Sequence, residues 1–276
     1  MTALVDNDDL FIQAWSEFNQ LIGSDGEAAD FIFQSMLRDN EVKCGCSSPQ
    51  IERETGSRCF YCTSCKLEVW FTAGTLLSGV SRLRAWLAVI WFKEWGVAVS
   101  SLRISKLLDI AQSTALNINK KVAIAIENQM DSSAMCIDQR RFSDAIFMRS
   151  RQTPADEHPR SELVAAPSYS SLDPDKIEKD AAAPIKENAS ILFFLAASQQ
   201  QLSISLAIAS AISFIRKFFH GVSNKYLQLY VAAFWCHTDR ETWKKGSVLK
   251  ACLKHRPISY AQLLCYETPQ LKMMLA

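Results

Sequence analysis

The sequence predicts a mainly α-helical protein that carries one small β-ribbon built around cysteines. Apolar residues recur with a helical period before residue 40 and again from residue 80 onward. Between these regions, residues 43–75 hold five cysteines among turn-forming residues and short aromatic or β-branched runs, a pattern typical of tight hairpins. Residues 139–188 are polar and contain prolines, which predicts a linker or a long irregular segment.

The composition narrows the class of protein. The 276 residues are 49 % apolar and 21 % charged, which predicts a globular protein large enough for two or three small domains. The first residues show no apolar stretch with a basic flank and a cleavage-like site, so we expect no signal peptide and a cytoplasmic location. Disulfides are rare in a reducing compartment, and nine cysteines cannot all pair. The clustered cysteines therefore favour a metal site.

A net charge of +1 conceals an uneven distribution of charge along the chain. Residues 1–40 hold eight acids against the single base Arg38. Residues 81–130 hold seven bases against three acids, and the tail from Arg216 onward holds ten bases against three acids. Two basic surfaces could therefore meet a polyanion although the whole chain is close to neutral. The alternative is that these charges only solvate helix faces.

Helical patterns can be placed in order along the chain. A first helix ends at "GSDG", and a second, "EAADFIFQSMLR", leads into the cysteines. From Val80 the helical period returns, and the serines of "GVAVSS" are suitable N-caps for a short helix that precedes "QSTALNINKKVAIAIENQM". The uncharged run 190–214 contains "SQQQ", and its strongest apolar part is the seven-residue "ILFFLAA", whereas a membrane span needs about 20 apolar residues. A buried element is therefore favoured there over a membrane segment.

The cysteine cluster has the spacing of a zinc site. Cys62 and Cys65 form a C-x-x-C knuckle, and Cys44 and Cys46 form a shorter C-x-C pair. Four thiolates on two turns can hold a structural Zn²⁺ ion in tetrahedral geometry. Cys59 is a spare thiol that could replace Cys44 or Cys46. The alternatives are a degenerate site of merely buried cysteines and a redox pair, which the lack of a surrounding βαβ pattern disfavours.

The remaining four cysteines and two of the histidines are expected to have structural roles. Cys136, Cys236, Cys252 and Cys265 stand singly on apolar stretches, and free cysteine often behaves as a small buried hydrophobe. We therefore expect all four to be buried. His220 and His237 are expected to be structural rather than catalytic.

The stretch "VSSLRISKLLDIAQSTALNINKK" has the pattern of a helix-turn-helix. Asp109 stands at the turn, where a residue that tolerates a left-handed conformation is needed, and Ala115 is the small residue where the helices meet. Amides and hydroxyls on the second helix could read base edges of double-stranded DNA, and lysines could bind phosphates. The expected DNA-binding residues are Gln112, Ser113, Thr114, Asn117, Lys120 and Lys121. An ordinary three-helix core with a polar outer face is the alternative.

The succession of these motifs resembles the zinc-ribbon transposases of small bacterial insertion sequences. The resemblance runs through "EAADFIFQSMLRDNEVKCGC", "CFYCTSCKLEVWFTAGT", "RLRAWLAVIWFKEWGVAVSS" and "ISKLLDIAQSTALNI". A second match, "FFHGVSNKYLQLYVAAFW", looks like the closing helix of that family, which follows a His-Gly-Val-Ser turn. The two matches cover about residues 26–130 and 216–262.

The resemblance implies a ribonuclease H-like core of the DDE/N type that cleaves and joins DNA strands with a pair of divalent ions such as Mg²⁺. Asp138 is the sole candidate for the first catalytic carboxylate, and it lacks the glycines that follow it in the family. No apolar strand presents a second aspartate, and the third position falls on Ser210. We therefore expect an incomplete catalytic core, with a role for Mg²⁺ only if that core is active.

Together these patterns predict N-terminal helices, a zinc ribbon, a helix-turn-helix and a reduced α/β or α remnant of the nuclease core. The expected function is that of a transposase-like protein that binds the DNA of its element, and self-association is left open. Alternatives are an active metal-dependent transposase, a DNA-binding regulator without nuclease activity, and a protein attached to a membrane through 190–214. The expected segments are 1–40, 41–79, 80–131, 132–188 and 189–276.

Overall fold

The computed structural model describes residues 7–42, 44, 46, 50–147, 188–219, 222–268 and 270–274. It confirms the predicted mainly helical fold with a small antiparallel sheet between the second and third helices. The helices are α1 (Asn7–Leu21), α2 (Asp25–Arg38), α3 (Leu83–Glu94), α4 (Ser101–Leu108), α5 (Gln112–Glu127), α6 (Gln139–Phe147), α7 (Asn188–Phe218), α8 (Leu227–Thr238), α9 (Ser247–Lys254) and α10 (Tyr260–Cys265). The strands are β1 (Ile51–Glu52), β2 (Cys59–Cys62), β3 (Leu67–Trp70), β4 (Met135–Cys136) and β5 (Lys272–Met273).

The boundary between α1 and α2 is fixed by a capping box. The Ser24 hydroxyl accepts a hydrogen bond from the Glu27 amide at 3.1 Å, and the Glu27 carboxylate accepts one from the Ser24 amide at 2.9 Å. Each side chain thus satisfies a main-chain donor that the helix itself leaves free. The predicted end of the first helix at "GSDG" is confirmed.

The ribbon is a three-stranded antiparallel sheet in the order β1–β2–β3. Cys62 pairs with Ile51 on one side and with Leu67 on the other, and Cys59 pairs with Trp70. Because successive side chains of a strand point to opposite faces, Phe60 and Cys62 face the protein core. The sheet therefore presents one of its cysteines to the interior at the end nearest the C-x-x-C turn.

Helix α5 lies at the centre of the helical part. It contacts α3, α4, α8, α9 and α10, and Ala115, Val122, Ala125 and Ile126 on it are completely buried. Its first turn, by contrast, is exposed to solvent. The α4–α5 turn is as predicted: Ser100 caps α4, and Asp109 adopts a left-handed conformation with φ 47° and ψ 55°.

One hydrophobic core joins the N-terminal helices, the ribbon, helices α3 to α5 and the C-terminal helices α8 and α9. Phe18 of α1, Phe60 of β2, Ile90 of α3, Val122 of α5 and Trp235 of α8 all belong to it. The segments that the sequence divides at residues 40, 79 and 131 thus share buried apolar surface. Burial of this surface is the main favourable contribution to their folding.

A second core lies between α6, α7, α8 and the β4–β5 pair. Helix α6 occupies residues 139–147 of the segment predicted as linker, because Phe142 and Ile146, four residues apart, bury one face of it. Residues 148–187 lie outside the described residues. After residue 131, the described strands are the two-residue β4 and β5 alone, which do not make a ribonuclease H-like sheet.

The long uncharged run predicted as a buried element is part of α7. From Ser203 onward, where its side chains are described, α7 buries Ile208, Ala211 and Ile215 in the second core. Within the described parts of the chain, no helix combines the length and apolar character needed to cross a bilayer.

Candidate metal centre

The four cysteines of the preferred ligand set converge at one end of the ribbon. The Sγ atoms of Cys44, Cys46, Cys62 and Cys65 all lie within 4.8 Å of one another. Cys62 Sγ is 3.3 Å from Cys44 Sγ and 3.4 Å from Cys46 Sγ, while Cys44 Sγ and Cys46 Sγ are 2.7 Å apart. Sulfurs at about 2.3 Å from a tetrahedral Zn²⁺ ion would be about 3.8 Å apart. The cluster therefore fits a metal ion such as zinc after small shifts of the C-x-C pair.

The C-x-x-C knuckle is a tight turn between β2 and β3. The Lys66 amide donates to the Cys62 carbonyl at 2.8 Å, and Lys66 adopts a positive φ of 63°, which closes the turn behind Cys65. The Thr63 amide donates to the Gln50 carbonyl at 2.9 Å. That bond ties the knuckle to Gln50, which lies four residues after Cys46 in sequence.

The thiols of the cluster have unequal acidity without a metal. A hydrogen bond from the Cys65 backbone lowers the pKa of Cys62 to about 6, so Cys62 is a thiolate at neutral pH. The hydrogen bond to Cys44, together with burial, raises the pKa of Cys46 to about 12. Burial also raises the pKa of Cys65. The cluster thus offers one ready thiolate and at least two protonated thiols to an incoming cation.

Cys59, the alternative ligand, points away from this cluster. It lies three residues before Cys62 on β2 and therefore on the opposite face of the sheet. There, burial and a hydrogen bond with Glu68 raise its pKa. The geometry favours the set that contains Cys44, Cys46, Cys62 and Cys65.

The other cysteines divide into two classes. Cys236 and Cys252 are buried, as predicted, and burial raises the pKa of both thiols. The prediction is wrong for Cys136 and Cys265, which are exposed. Cys136 belongs to a two-residue strand, and Cys265 ends a short helix. Each of these short elements is covered by the rest of the protein on one face only, so both thiols reach solvent.

The ribbon is attached to α2 by a buried arginine. Arg53 forms an ion pair with Asp30 at 2.6 Å, and its guanidinium lies 4.5 Å from the centre of the Phe33 ring. Phe33 in turn packs against Phe60 and Phe71 of the ribbon at 6.1 and 5.4 Å between ring centres. An Arg–carboxylate pair stacked on aromatic rings is a directional contact, so the cysteine cluster has a fixed orientation on the helices.

The predicted DNA-binding residues fall into two groups along α5. Gln112, Ser113 and Thr114 occupy the exposed first turn, and Asn117 is half-buried. The N-cap residue Ala111 has no side-chain acceptor for the amides of this turn, so they are directed toward solvent. These side chains and amides form a small polar surface at the N-terminal end of the helix.

Lys120 and Lys121 are half-buried on α5. Lys120 Nζ lies 3.5 Å from the centre of the Tyr226 ring, and Lys121 Nζ lies 5.9 Å from that of Trp86. Burial lowers the pKa of both ammonium groups, and for Lys120 the nearby Lys225 acts in the same direction. Both lysines thus pack against aromatic rings at positions that the helical pattern alone assigns to the DNA face.

Across the residues that the structure describes, Asp138 has no carboxylate partners close enough to share a metal ion. One oxygen accepts a hydrogen bond from the Arg141 amide at 3.1 Å, and the other lies 3.8 Å from Arg141 Nε, so the side chain stabilises the start of α6. Among the described residues, the group of cysteines is the only set able to hold a metal ion. Ser210, aligned with the third catalytic position, is exposed on α7. His220 lies outside the described residues, and His237 packs against Phe214 in the second core.

Arg82 is a candidate that sequence reasoning missed. It is exposed, and its guanidinium donates to the Asp109 carbonyl at 2.9 Å, beside the first turn of α5. Arg82 is 27 residues away from Asp109 in sequence, so only the tertiary structure reveals the proximity. The sequence offers one signal for this candidate: Arg82 lies in a basic segment, immediately before an apolar helix.

Comparisons with protein-family models, with curated proteins and with solved structures found no match to this chain.

Proposed function

We propose that this protein is a transposase-like DNA-binding protein in which a zinc ribbon supports a helix-turn-helix. The proposal includes no strand cleavage, because Asp138 is engaged in capping α6 and has no carboxylate partner among the described residues. The motif resemblance to insertion-sequence transposases supports the wider assignment. Double-stranded DNA is the proposed partner.

The observation that carries the proposal is the first turn of α5. Gln112, Ser113 and Thr114 are exposed, the turn lacks a side-chain cap, and the chain reaches it through the left-handed Asp109. Side-chain amides and hydroxyls can bond to base edges, and free main-chain amides at a helix N-terminus attract phosphate oxygens. Arg82 adds a positive charge at the same place.

The metal centre has a supporting role in this proposal. Zinc would join the two cysteine pairs, and Arg53 and the aromatic residues would transmit that order to α2. The acids of the N-terminal segment also fit a structural role for the ribbon, since Asp30 and Asp25 contact its arginines. Helix α2 presents no basic surface of its own that could bind DNA. The ribbon thus acts as a structural element, and α5 as the reading element.

The test is a titration of labelled duplexes enriched from a random-sequence pool, followed by fluorescence anisotropy. We expect the combined change Gln112→Ala, Ser113→Ala and Thr114→Ala to weaken binding roughly tenfold or more, since one lost base contact costs about 1–3 kcal/mol. The slope of affinity against salt should stay nearly unchanged because no cation is removed.

The matched control is the pair Gln129→Ala and Ser132→Ala, which are exposed polar residues just beyond the C-terminal end of α5. This pair should bind like the parent protein. If the protein enriches no sequence and shows no affinity for duplex DNA at low salt, the proposed function is wrong.

A further inference from the structure

The outer edge of the ribbon is open and apolar. Strand β3 ends the sheet order, and a groove of about 530 Å³ runs between it and the loop of residues 72–79. Leu67 is 56 % exposed and Trp70 is 54 % exposed. A free strand edge beside exposed apolar side chains is the arrangement to which another strand can add.

The main chain of this edge has free hydrogen-bonding groups. The Phe71 amide donates to the Arg58 carbonyl of the neighbouring strand at 3.4 Å. Since bonded pairs alternate along an antiparallel ladder, Val69 and Leu67 also bond to β2, and Glu68 and Trp70 direct their groups outward. The Trp70 carbonyl accepts the Ala73 amide at 2.9 Å. The Glu68 amide, the Glu68 carbonyl and the Trp70 amide have no partner in the described residues.

The charge on the outer face of the sheet indicates what kind of strand would fit. Tyr61, Glu68 and Trp70 share this face, and Glu52 pairs with Tyr61 from the other side. The strands place two carboxylates and two aromatic rings there and no lysine or arginine. A polyanion would be repelled, whereas a cationic side chain opposite Glu68 would contact both a carboxylate and the Trp70 ring.

We propose that the free edge of β3 binds an extended segment of a partner protein, with lysine or arginine at alternate positions, as a fourth strand. Main-chain bonds to Glu68 and Trp70 supply the attachment. The alternating basic side chains select the partner through Glu68 and the Trp70 ring on β3. This docking surface is separate from the first turn of α5 and does not depend on DNA binding.

The test uses two synthetic hexapeptides and the full chain labelled with ¹⁵N. In one peptide lysine alternates with valine, and in the other glutamate replaces each lysine. We expect the lysine peptide to shift the amide signals of Glu68 and Trp70 and to protect both from hydrogen exchange. The glutamate peptide should bind about fivefold more weakly or worse, because each pair changes from attraction to repulsion.

Three variants separate strand addition from general attraction of a basic peptide. Glu68→Lys should reverse the preference between the peptides, whereas Glu54→Lys, an exposed change outside the strands, should leave it in place. Glu68→Pro removes an outward amide without removing a β2–β3 bond, and proline is tolerated on such an edge. It should abolish binding of both peptides, while an unchanged metal content shows that the ribbon is still folded.

Three results would overturn the proposal. The first is that the lysine peptide leaves the Glu68 and Trp70 amides unchanged at millimolar concentration. The second is concentration-dependent dimerisation in sedimentation that Glu68→Pro abolishes, since the edge would then belong to a second copy. The third is a shift of the same amides by a single-stranded oligonucleotide, since the face would then bind bases rather than a peptide.

Discussion

The pleat of a single strand decides which cysteines can hold a metal ion. Cys62 faces the cluster and Cys59 faces away from it, although only three residues separate them. We expect Cys62→Ser to lose the bound metal, because an uncharged hydroxyl is a much weaker ligand than a thiolate. Cys59→Ser is the matched control and should keep one equivalent. Metal content after dialysis, measured by plasma emission spectroscopy, checks this, and loss of metal from both variants would mean that the ligand set is wrong.

The acidity of the thiols predicts how metal binding depends on pH. At pH 7 the raised pKa values of Cys46 and Cys65 keep both protonated, so binding must release at least two protons. Apparent affinity should therefore fall by roughly 100-fold or more for each pH unit below neutrality. Below about pH 6 Cys62 is protonated as well, and the fall should become steeper.

Titration calorimetry in buffers of different ionisation enthalpy counts the released protons. Competition with a zinc indicator between pH 6 and 8 measures the change in affinity. Release of fewer than two protons at pH 7 would contradict the assigned acidities.

At the scale of elements, a single arginine joins the ends of two helices. Arg240 donates to the carbonyls of Lys93 at 3.2 Å and Cys236 at 3.1 Å, and also to the carbonyl of Glu94, near the C-terminal ends of α3 and α8. Gly96, with φ 66°, lies so close that a Cβ atom there would be 3.1 Å from the guanidinium. The absence of a side chain at Gly96 therefore allows the arginine to reach all three carbonyls.

We expect Arg240→Met to lower the free energy of unfolding by about 3 kcal/mol, because three acceptors lose a charged donor. Arg240→Lys should recover only part of this, since an ammonium cannot reproduce the planar fork of a guanidinium. Arg256→Met, at an exposed arginine, is the control and should change little. Urea unfolding followed by circular dichroism checks the order of the three variants, and equal stability of Arg240→Met and the control would refute it.

Sequence patterns predict the local features of these elements, but they do not predict which elements pack against one another. The C-x-x-C spacing, the N-cap Ser100 and the left-handed Asp109 are local features, and the structure confirms them. The covering of Lys120 by Tyr226 was not predictable, because it depends on a residue 106 positions away along the chain. Helical periodicity shows that a face is polar, but it does not show which other element packs on it.

At the scale of the whole molecule, the ribbon belongs to the same core as the helices. Phe60, Cys62 and Phe71 of the ribbon region are buried in one cluster with residues of α1, α3, α5 and α8. Structural zinc contributes on the order of 10 kcal/mol to folding in small domains. Loss of the metal should therefore weaken the helical part as well as the ribbon.

We expect a strong zinc chelator to lower the thermal midpoint of the helical circular dichroism signal at 222 nm. The Cys62→Ser variant should unfold at the lower midpoint with or without the chelator. A chelator that leaves the helical midpoint unchanged would show that the ribbon unfolds independently of the rest of the chain.

The packing of five other helices around α5 has a consequence for truncation of the chain. A premature stop codon after residue 131 would strip α8 and α9 from the flank of α5 and leave an insoluble product. The C-terminal helices α8 and α9 are thus needed to keep α5 folded, whatever its first turn binds.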